Sequence, residues 1–502
     1  MEAAVILPRQ EETMHEQHAQ ALCDFIDASP TAYHAVEAAV AMLEAAGASQ
    51  LDERAAWRLT AGNRYYVIRD GASIIAFQVG MAAPAEAGFA MAGAHTDAPG
   101  LRARIEKRVT SRGMERVAVE VYGGPIHATW LDRPLSLAGR VVLCRQAPST
   151  PVDAKPPESA GPVVRLVNFA RPVAIIPNLA IHFNREMNKG IEFPVHTALL
   201  PLVAARRSQS AAMANGIPEP QVTWIMQAVA AELGVEPHDI VSAELAFVDA
   251  SGAILFGDDE EIISAPRLDN LAGCHAILTA FCSASPGAHG QVAALFDNEE
   301  IGSATHRGAN SAFLRDVLAR ICLVNMAGGV PSGGTQFGVN IPAATTVGGD
   351  LSGSAQLGAI PGGEDLYRAM ARSYLVSVDG AQAWHPAYAD RFDDEYAPLL
   401  NGGPAIKANA NVKYATDAIG EAAFIALCNR AGVPYQRFRM RADLTPGSTI
   451  GPVSSALLGV RTVDVGMPML AMHSARETAG SKDHAMMIGT LKAFYTGGPG
   501  QL

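Results

Sequence analysis

The apolar run Val292-Ala-Ala-Leu-Phe296 stops abruptly at Asp297-Asn298-Glu299-Glu300-Ile301-Gly302-Ser303. A short run of this kind reads as a buried strand, and the turn-forming residues behind it end that strand. Open α/β sheets build their sites at the carboxyl ends of such strands, so the segment points to that class of fold. Two neighbouring glutamates there repel each other unless a cation or a shared proton holds them. One can bind a metal while the other takes a proton from water, which is half of a metallohydrolase. A solvated turn after a strand has the same local sequence, so the rest of the chain has to decide between the two.

Four further stations share the character of an Asp, Glu or His beside small or turn-forming residues. They are His95 with Asp97 in Gly93-Ala-His95-Thr-Asp97-Ala-Pro-Gly100, Asp269 in Ala265-Pro-Arg-Leu-Asp269-Asn-Leu271, Asp379 after Tyr374-Leu-Val-Ser-Val378, and His473 in Leu470-Ala-Met-His473. Each alone has an ordinary reading. His95 reads as a polar residue at a strand end, Asp269 as a helix cap, Asp379 as a turn residue, and His473 as part of a packed Met-rich stretch. Together, two histidines and three carboxylates make a ligand set for two divalent ions sharing one carboxylate, with zinc foremost and cobalt or manganese also compatible. A spare carboxylate is then left to move the proton.

At 502 residues the chain exceeds one ordinary core. With 49% apolar and 18% charged residues it has the composition of a globular protein. The net charge of −12 argues against a nucleic-acid partner, which would need a basic face. Six scattered cysteines without a CxxC pair suit reduced thiols in the cytoplasm, not a disulfide frame or a thiolate zinc site. No apolar run reaches the roughly 18 residues of a membrane-spanning helix. The start of the chain lacks the basic residues and long apolar core of a secretory signal, and residues 1–14 read as a tail.

Helical periodicity runs over 15–48, broken at Ser29-Pro30, and strands are predicted at Tyr65–Arg69, Ser73–Phe77 and Gly88–Ala92. Between 101 and 245 the texture changes to short β-like pieces (Val117–Val121, Gly139–Leu143), a Pro-rich stretch at 148–162 and a helix near 221–234. The expected organisation is an α/β catalytic domain with a mixed sheet, built from 15–100 and 246–502, with a β-rich lobe inserted at 101–245. Residues 328–363 form a long Gly-rich connection.

Long motifs span the chain: Phe25-Ile-Asp-Ala-Ser-Pro-Thr31, Ala94-His-Thr-Asp-Ala-Pro-Gly100, Pro266-Arg-Leu-Asp-Asn-Leu271, Asp297-Asn-Glu-Glu-Ile-Gly-Ser303, Asn401-Gly-Gly-Pro404 with Lys407, Gly447-Ser-Thr-Ile-Gly-Pro452 and Met472-His-Ser-Ala-Arg-Glu477. In these the sequence resembles the M18 family of metallo-aminopeptidases, whose best-known members are aspartyl aminopeptidases. The resemblance implies that Asp269 bridges two metals, that His95 and Asp379 complete one site, and that Glu300 and His473 complete the other. Glu299 would be the general base, and Asp97 would accept from the far nitrogen of His95. The inserted lobe would be a dimerisation domain, with His182 entering the neighbouring subunit's site, and the common assembly would be a dodecamer of dimers that admits short peptides with a free N-terminus. Lys407 and Tyr414 match positions that meet an acidic substrate side chain.

The chain departs from the family pattern at Gln382, where the family has histidine three residues after the metal-binding aspartate. Asn325-Met-Ala-Gly328 superficially echoes that aspartate's element, but a neutral amide is a poor divalent ligand and its flanks do not match, which leaves Asp379. The expected activity is a dinuclear aminopeptidase preferring N-terminal Asp or Glu. The alternatives are a preference for neutral residues, which Gln382 suggests, and a non-catalytic assembly protein of the same fold.

Overall fold

The computed structural model describes residues 9–144, 162–190, 194–205, 222–328 and 363–498. All but the ends of the Pro-rich stretch and of the Gly-rich connection at 328–363 lie outside these residues. At the centre is a nine-stranded mixed sheet in the order Ser49–Gln50, Arg64–Arg69, Ser73–Gln78, Gly290–Phe296, Phe89–His95, Tyr374–Val378, Arg461–Gly466, Ala405–Lys407, Gln436–Phe438. Its four middle strands, Gly290–Phe296 through Arg461–Gly466, run parallel. Phe89–His95 and Gly290–Phe296 are buried at every position, as parallel strands covered on both faces must be.

One face of the sheet packs against the helices Arg9–Ala28, Ala32–Ala45, Leu268–Ser283, Ala418–Ala431 and Ser481–Gly497, through Leu22, Ile26, Val36, Ile277, Phe281, Phe424, Leu491 and Phe494. The other face is covered by Phe313–Gly328 and Ile450–Leu458, through Phe313, Val317, Leu318 and Ile450. No helix among the described residues is long and apolar enough to cross a membrane.

A second, wholly antiparallel sheet has six strands in the order Val163–Asn168, Leu135–Leu143, Ile240–Asp249, Gly100–Ser111, Met114–Tyr122, Leu202–Ala205. It has its own core around Trp130, Leu137, Ile225 and Phe247. The helix Trp224–Leu233 covers it and is capped by the Thr223 hydroxyl, which accepts from the Met226 amide. The two sheets are tied where Arg140 donates to Asp70 at 3.0 Å and the Tyr33 hydroxyl donates to Glu244 at 2.7 Å.

Two elements run past their expected ends. Helix begins at Arg9, within the segment expected to be a tail over 1–14, and Arg9–His15 holds neither Gly nor Pro to break it. The six-stranded sheet continues to Asp249, past the expected edge at 245, because the strand Ile240–Asp249 stays in register with Leu135–Leu143 to its end.

Phe281 is fully buried on the helix Leu268–Ser283 and meets Tyr495 edge to face at 5.8 Å. Phe281→Ala is expected to cost about 3 to 5 kcal/mol, read as a clear fall in the urea midpoint. An unchanged midpoint would contradict this account of the core.

Candidate metal centre

The parallel strands deliver their end residues to one edge of the sheet. His95 ends Phe89–His95, Asp379 follows Tyr374–Val378, and Glu299 and Glu300 follow Gly290–Phe296. Asp269 enters at the start of Leu268–Ser283 after Arg267, which has φ 59°, and His473 sits in the turn after Pro468–Leu470 with φ 68°. Positive φ at non-glycine residues is uncommon and concentrates at functional sites. Asn298, just before the glutamates, is a third such residue, with φ 67°.

Asp269 stands between two histidines. Its Oδ1 lies 3.5 Å from His95 Nε2 and its Oδ2 lies 3.6 Å from His473 Nε2. Asp379 Oδ1 is 3.8 Å from His95 Nε2, and Glu300 Oε2 is 3.5 Å from His473 Nε2. The opposite ring nitrogens both face backbone carbonyls: His95 Nδ1 is 2.9 Å from the Asp97 carbonyl oxygen, and His473 Nδ1 is 3.1 Å from that of Gly124. A carbonyl can only accept, so each Nδ1 carries a proton and each ring turns its Nε2 toward the carboxylates. An Nε2 set among carboxylates needs a positive charge beside it, a proton or a metal cation.

Three further observations fit a cation. Asp269 Oδ1 and Glu300 Oε1 are buried without a hydrogen-bond partner, which is costly unless another group completes them. The ligand atoms of His95, Asp269 and Glu300 all lie within 4.8 Å of one another. Acid–base balance points the same way. Burial would lower the His95 imidazole, but Asp269, Asp379 and Asp97 outweigh it and hold it well above its usual value. Burial pushes Glu299 up to about 8, with Asp379, Asp269 and Asp97 reinforcing it against His95, and burial beside Asp269 drives Glu300 well above the carboxylate range. The cluster is short of positive charge. Nitrogen and oxygen donors of this kind suit zinc or a similar divalent ion. Cys274 does not join them: burial pushes its thiol up to about 12, and it donates to the His95 carbonyl at 3.0 Å.

Asp97 is fixed from several sides. Its carboxylate accepts from the amides of Glu299 (3.1 Å) and Glu300 (3.2 Å) and from the Tyr122 hydroxyl (2.7 Å). It reaches His95 chiefly through its backbone carbonyl, the carboxylate lying 3.5 Å from Nδ1. Glu299, Glu300, Asp379, Gln382, Lys407, Tyr414 and Met472 line one open cleft. Lys407 is fully buried and donates to the Gly380 carbonyl at 2.9 Å, 3.7 Å from Asp379 Oδ2 and 5.1 Å from the Tyr414 ring centre. Gln382 Nε2 contacts Met472 Sδ at 3.5 Å, and its Oε1 has no partner. His182 is not among these residues: it lies in an exposed turn next to Phe183. Asn325 belongs to the helix Phe313–Gly328, whereas Asp379 faces His95.

Two supporting residues were not singled out from the sequence. Glu477 is buried and accepts from the Asp269 amide at 2.9 Å and the His473 amide at 2.7 Å, clamping both segments with one carboxylate. Its only sequence signal was its place four residues after His473. Tyr122 ends a strand of the six-stranded sheet just before Gly123-Gly124 and carried no signal of a role at this site.

The family profile described as aminopeptidase I zinc metalloprotease (M18) matches residues 25–330 and 356–495. A probable M18 family aminopeptidase 2 from Pseudomonas paraeruginosa (strain DSM 24068 / PA7) is 40% identical over 476 residues, covering 95% of this chain and 97% of the relative. Its counterpart from Ectopseudomonas mendocina (strain ymp) is 39% identical over 483 residues, covering 96% and 99%. Among solved structures, the cryo-EM structure of the Ape4 and Nbr1 complex aligns with TM-score 0.83 and 33% identity, over 97% of this chain and 87% of that one. The crystal structure of prApe1 aligns with TM-score 0.80 and 25% identity, over 97% and 98%. The S. cerevisiae mApe1 dodecamer shares the fold, with TM-score 0.74 and 24% identity over 97% of each chain.

Replacing Glu477 by Leu keeps most of its volume but leaves a buried and a part-buried amide without acceptors, at about 1 to 3 kcal/mol for the fully buried donor and less for the other. Glu477→Leu is expected to lower the thermal midpoint and to lose divalent metal on dialysis. A variant with the parent's midpoint and metal content would refute the clamp.

Proposed function

The chain belongs to the M18 family of zinc metalloproteases and is a metal-dependent aminopeptidase, and from that premise we propose that it removes N-terminal Asp and Glu, in preference to other residues, from short peptides, using two divalent ions. The observation that carries this reading is Asp269, whose two oxygens each face a histidine. Asp269 would bridge the ions, His95 and Asp379 would hold one, and Glu300 and His473 the other. Zinc is the first choice, with cobalt and manganese as alternatives. Such a pair, when bound, polarises a carbonyl and lowers the pKa of water.

The chain's own residues then do the rest. Glu299, lining the cleft beside Asp379, accepts the proton of the attacking water and hands it to the leaving amine. Asp97 holds the Glu299 and Glu300 amides and fixes the His95 ring, keeping base and ligands in register. The peptide's α-amine is recognised at the metal site, and Lys407 and Tyr414 meet an acidic side chain from the cleft wall.

A preference for neutral residues is the second reading. One observation favours it: Lys407 is already engaged by Gly380 and Asp379, while Gln382 brings no charge.

The six-stranded sheet is proposed as the core of the inserted dimerisation lobe. Around His182, Leu179, Ile181 and Phe183 are 54%, 44% and 81% exposed, an apolar patch suited to a second copy. A dimer-based dodecamer is the proposed assembly, the mApe1 structure being a dodecamer, with His182 completing a neighbouring site. The cytoplasm is the proposed compartment, consistent with six free cysteines.

Glu299→Gln is expected to retain its metal and to lose turnover by about 10²- to 10⁴-fold. A variant that keeps its turnover would remove Glu299 from the mechanism. Metal-stripped enzyme should cleave no aminoacyl amide, and added zinc, cobalt or manganese should restore cleavage. In the restored enzyme aspartyl and glutamyl amides should outpace leucyl amide, and the reverse order would establish the neutral preference.

A further inference from the structure

The segment Tyr122–Ile126 leaves the six-stranded sheet and runs along the candidate metal centre. The Tyr122 hydroxyl donates to Asp97 Oδ2 at 2.7 Å and accepts from Asn298 Nδ2 at 3.0 Å. It therefore sits between the two strand ends that carry His95 and the glutamate pair. Asn298 is itself fixed at its positive φ by the Thr305 hydroxyl, 2.9 Å from Oδ1. The Arg102 guanidinium lies 3.7 Å over the Tyr122 ring, so the phenol is held on its face as well as at its tip. Two residues on, the Gly124 carbonyl accepts from His473 Nδ1, and the Ile126 amide donates to the His473 carbonyl at 2.9 Å. Gly123 packs so closely that an added Cβ would lie 3.1 Å from Glu300 Cβ.

We propose that Tyr122 is a positioning residue for the catalytic centre: its hydroxyl sets the Asp97 carboxylate, which in turn holds the Glu299 and Glu300 amides. The lobe that carries it thus serves the site of its own subunit, separately from any role in assembly. The phenol acts through the two residues it bonds, Asp97 and Asn298. Removing its O–H leaves one Asp97 oxygen short of a donor and the Asn298 amide short of an acceptor, both in a buried setting where each shift reaches the ligands. The inference rests on the metallo-aminopeptidase reading above.

The test compares Tyr122→Phe with Tyr66→Phe. Tyr66 is a buried tyrosine of the central sheet that donates to Glu44 at 2.8 Å and has no part in the site. For each variant, kcat and KM are measured on aspartyl and leucyl amides, zinc affinity by chelator competition, and the visible spectrum after cobalt(II) substitution. Tyr122→Phe is expected to lower kcat or zinc affinity by about 10- to 100-fold, to leave KM within about twofold, and to change the cobalt spectrum, whereas Tyr66→Phe changes none of these. Equal behaviour of the two variants, or a Tyr122→Phe enzyme with the parent's kcat, zinc affinity and spectrum, overturns the proposal. If Tyr122→Phe does not fold, 3-fluorotyrosine at position 122 keeps the hydroxyl and alters its donor strength; an unchanged cobalt spectrum and kcat there overturn it equally. Parent protein that neither binds zinc nor cleaves either amide sinks the aminopeptidase reading and this inference with it. An active parent with an indifferent Tyr122→Phe sinks this inference alone.

Discussion

Repulsion among buried carboxylates is the constraint around which this molecule is organised. Asp269, Glu299, Glu300 and Asp379 converge at one sheet edge with Lys407 as the nearby ammonium. Bringing such groups together in a low-dielectric setting costs more than any local packing returns unless their charge is compensated. The surrounding structure reads as the means of holding them there. Parallel strands buried on both faces fix the directions of approach. Backbone amides and carbonyls, which cannot change charge, hold Asp97, Glu477 and both histidine rings. Three residues with positive φ turn the chain at the points where side chains must face inward.

Much of this was legible in the sequence because the strand ends announce themselves. An apolar run that stops at His95, at Glu299-Glu300 or at Asp379 tells a reader both that a strand ends and that something charged is left there, and the structure brings these residues to one edge. The place of Asp269 between the two histidines was harder to see. A lone Asp before a helix has the sequence of a cap, and only its position between two imidazoles distinguishes it. Glu477 and Tyr122 stayed hidden for a physical reason: both act through hydrogen bonds to groups far away in the chain, at separations of 208 and 25 residues, and no periodicity records such a partner. The carbonyl of Asp97 as the acceptor nearest His95 is likewise invisible in a side-chain reading, because every residue has a carbonyl. At the fold level two elements run past their expected ends: the first helix reaches back to Arg9, and sheet register carries one strand on to Asp249.

The six-stranded sheet changes meaning once its exit segment is followed. It has its own core and its own covering helix. Yet Tyr122, Gly123, Gly124 and Ile126 contact Asp97, Glu300 and His473. The Arg140–Asp70 pair and the Tyr33–Glu244 bond hold the same two bodies together at the outer side of the junction. Two separate ties restrict rotation between the bodies where one would permit it, and the tie nearer the site runs through Asp97, which holds the Glu299 and Glu300 amides.

Charge balance also bears on the choice between acidic and neutral substrates. Burial by itself would weaken the Lys407 ammonium; Asp379 reverses this, so the residue is held charged at 3.7 Å from that carboxylate. At an effective dielectric near 20 the attraction is about 4 kcal/mol, enough to commit the ammonium to Asp379 while the carboxylates have no other partner. On the dinuclear reading, two divalent ions would balance Asp269, Glu299, Glu300 and Asp379, and Asp97 and Glu477 are already engaged by backbone amides. Lys407 would then be a surplus positive charge on the cleft wall, beside a Gln382 that supplies a hydrogen-bonding group and no charge of its own. On that reading a substrate carboxylate is what the surplus would select, and the same cations that would relieve the repulsion at the centre would also free Lys407.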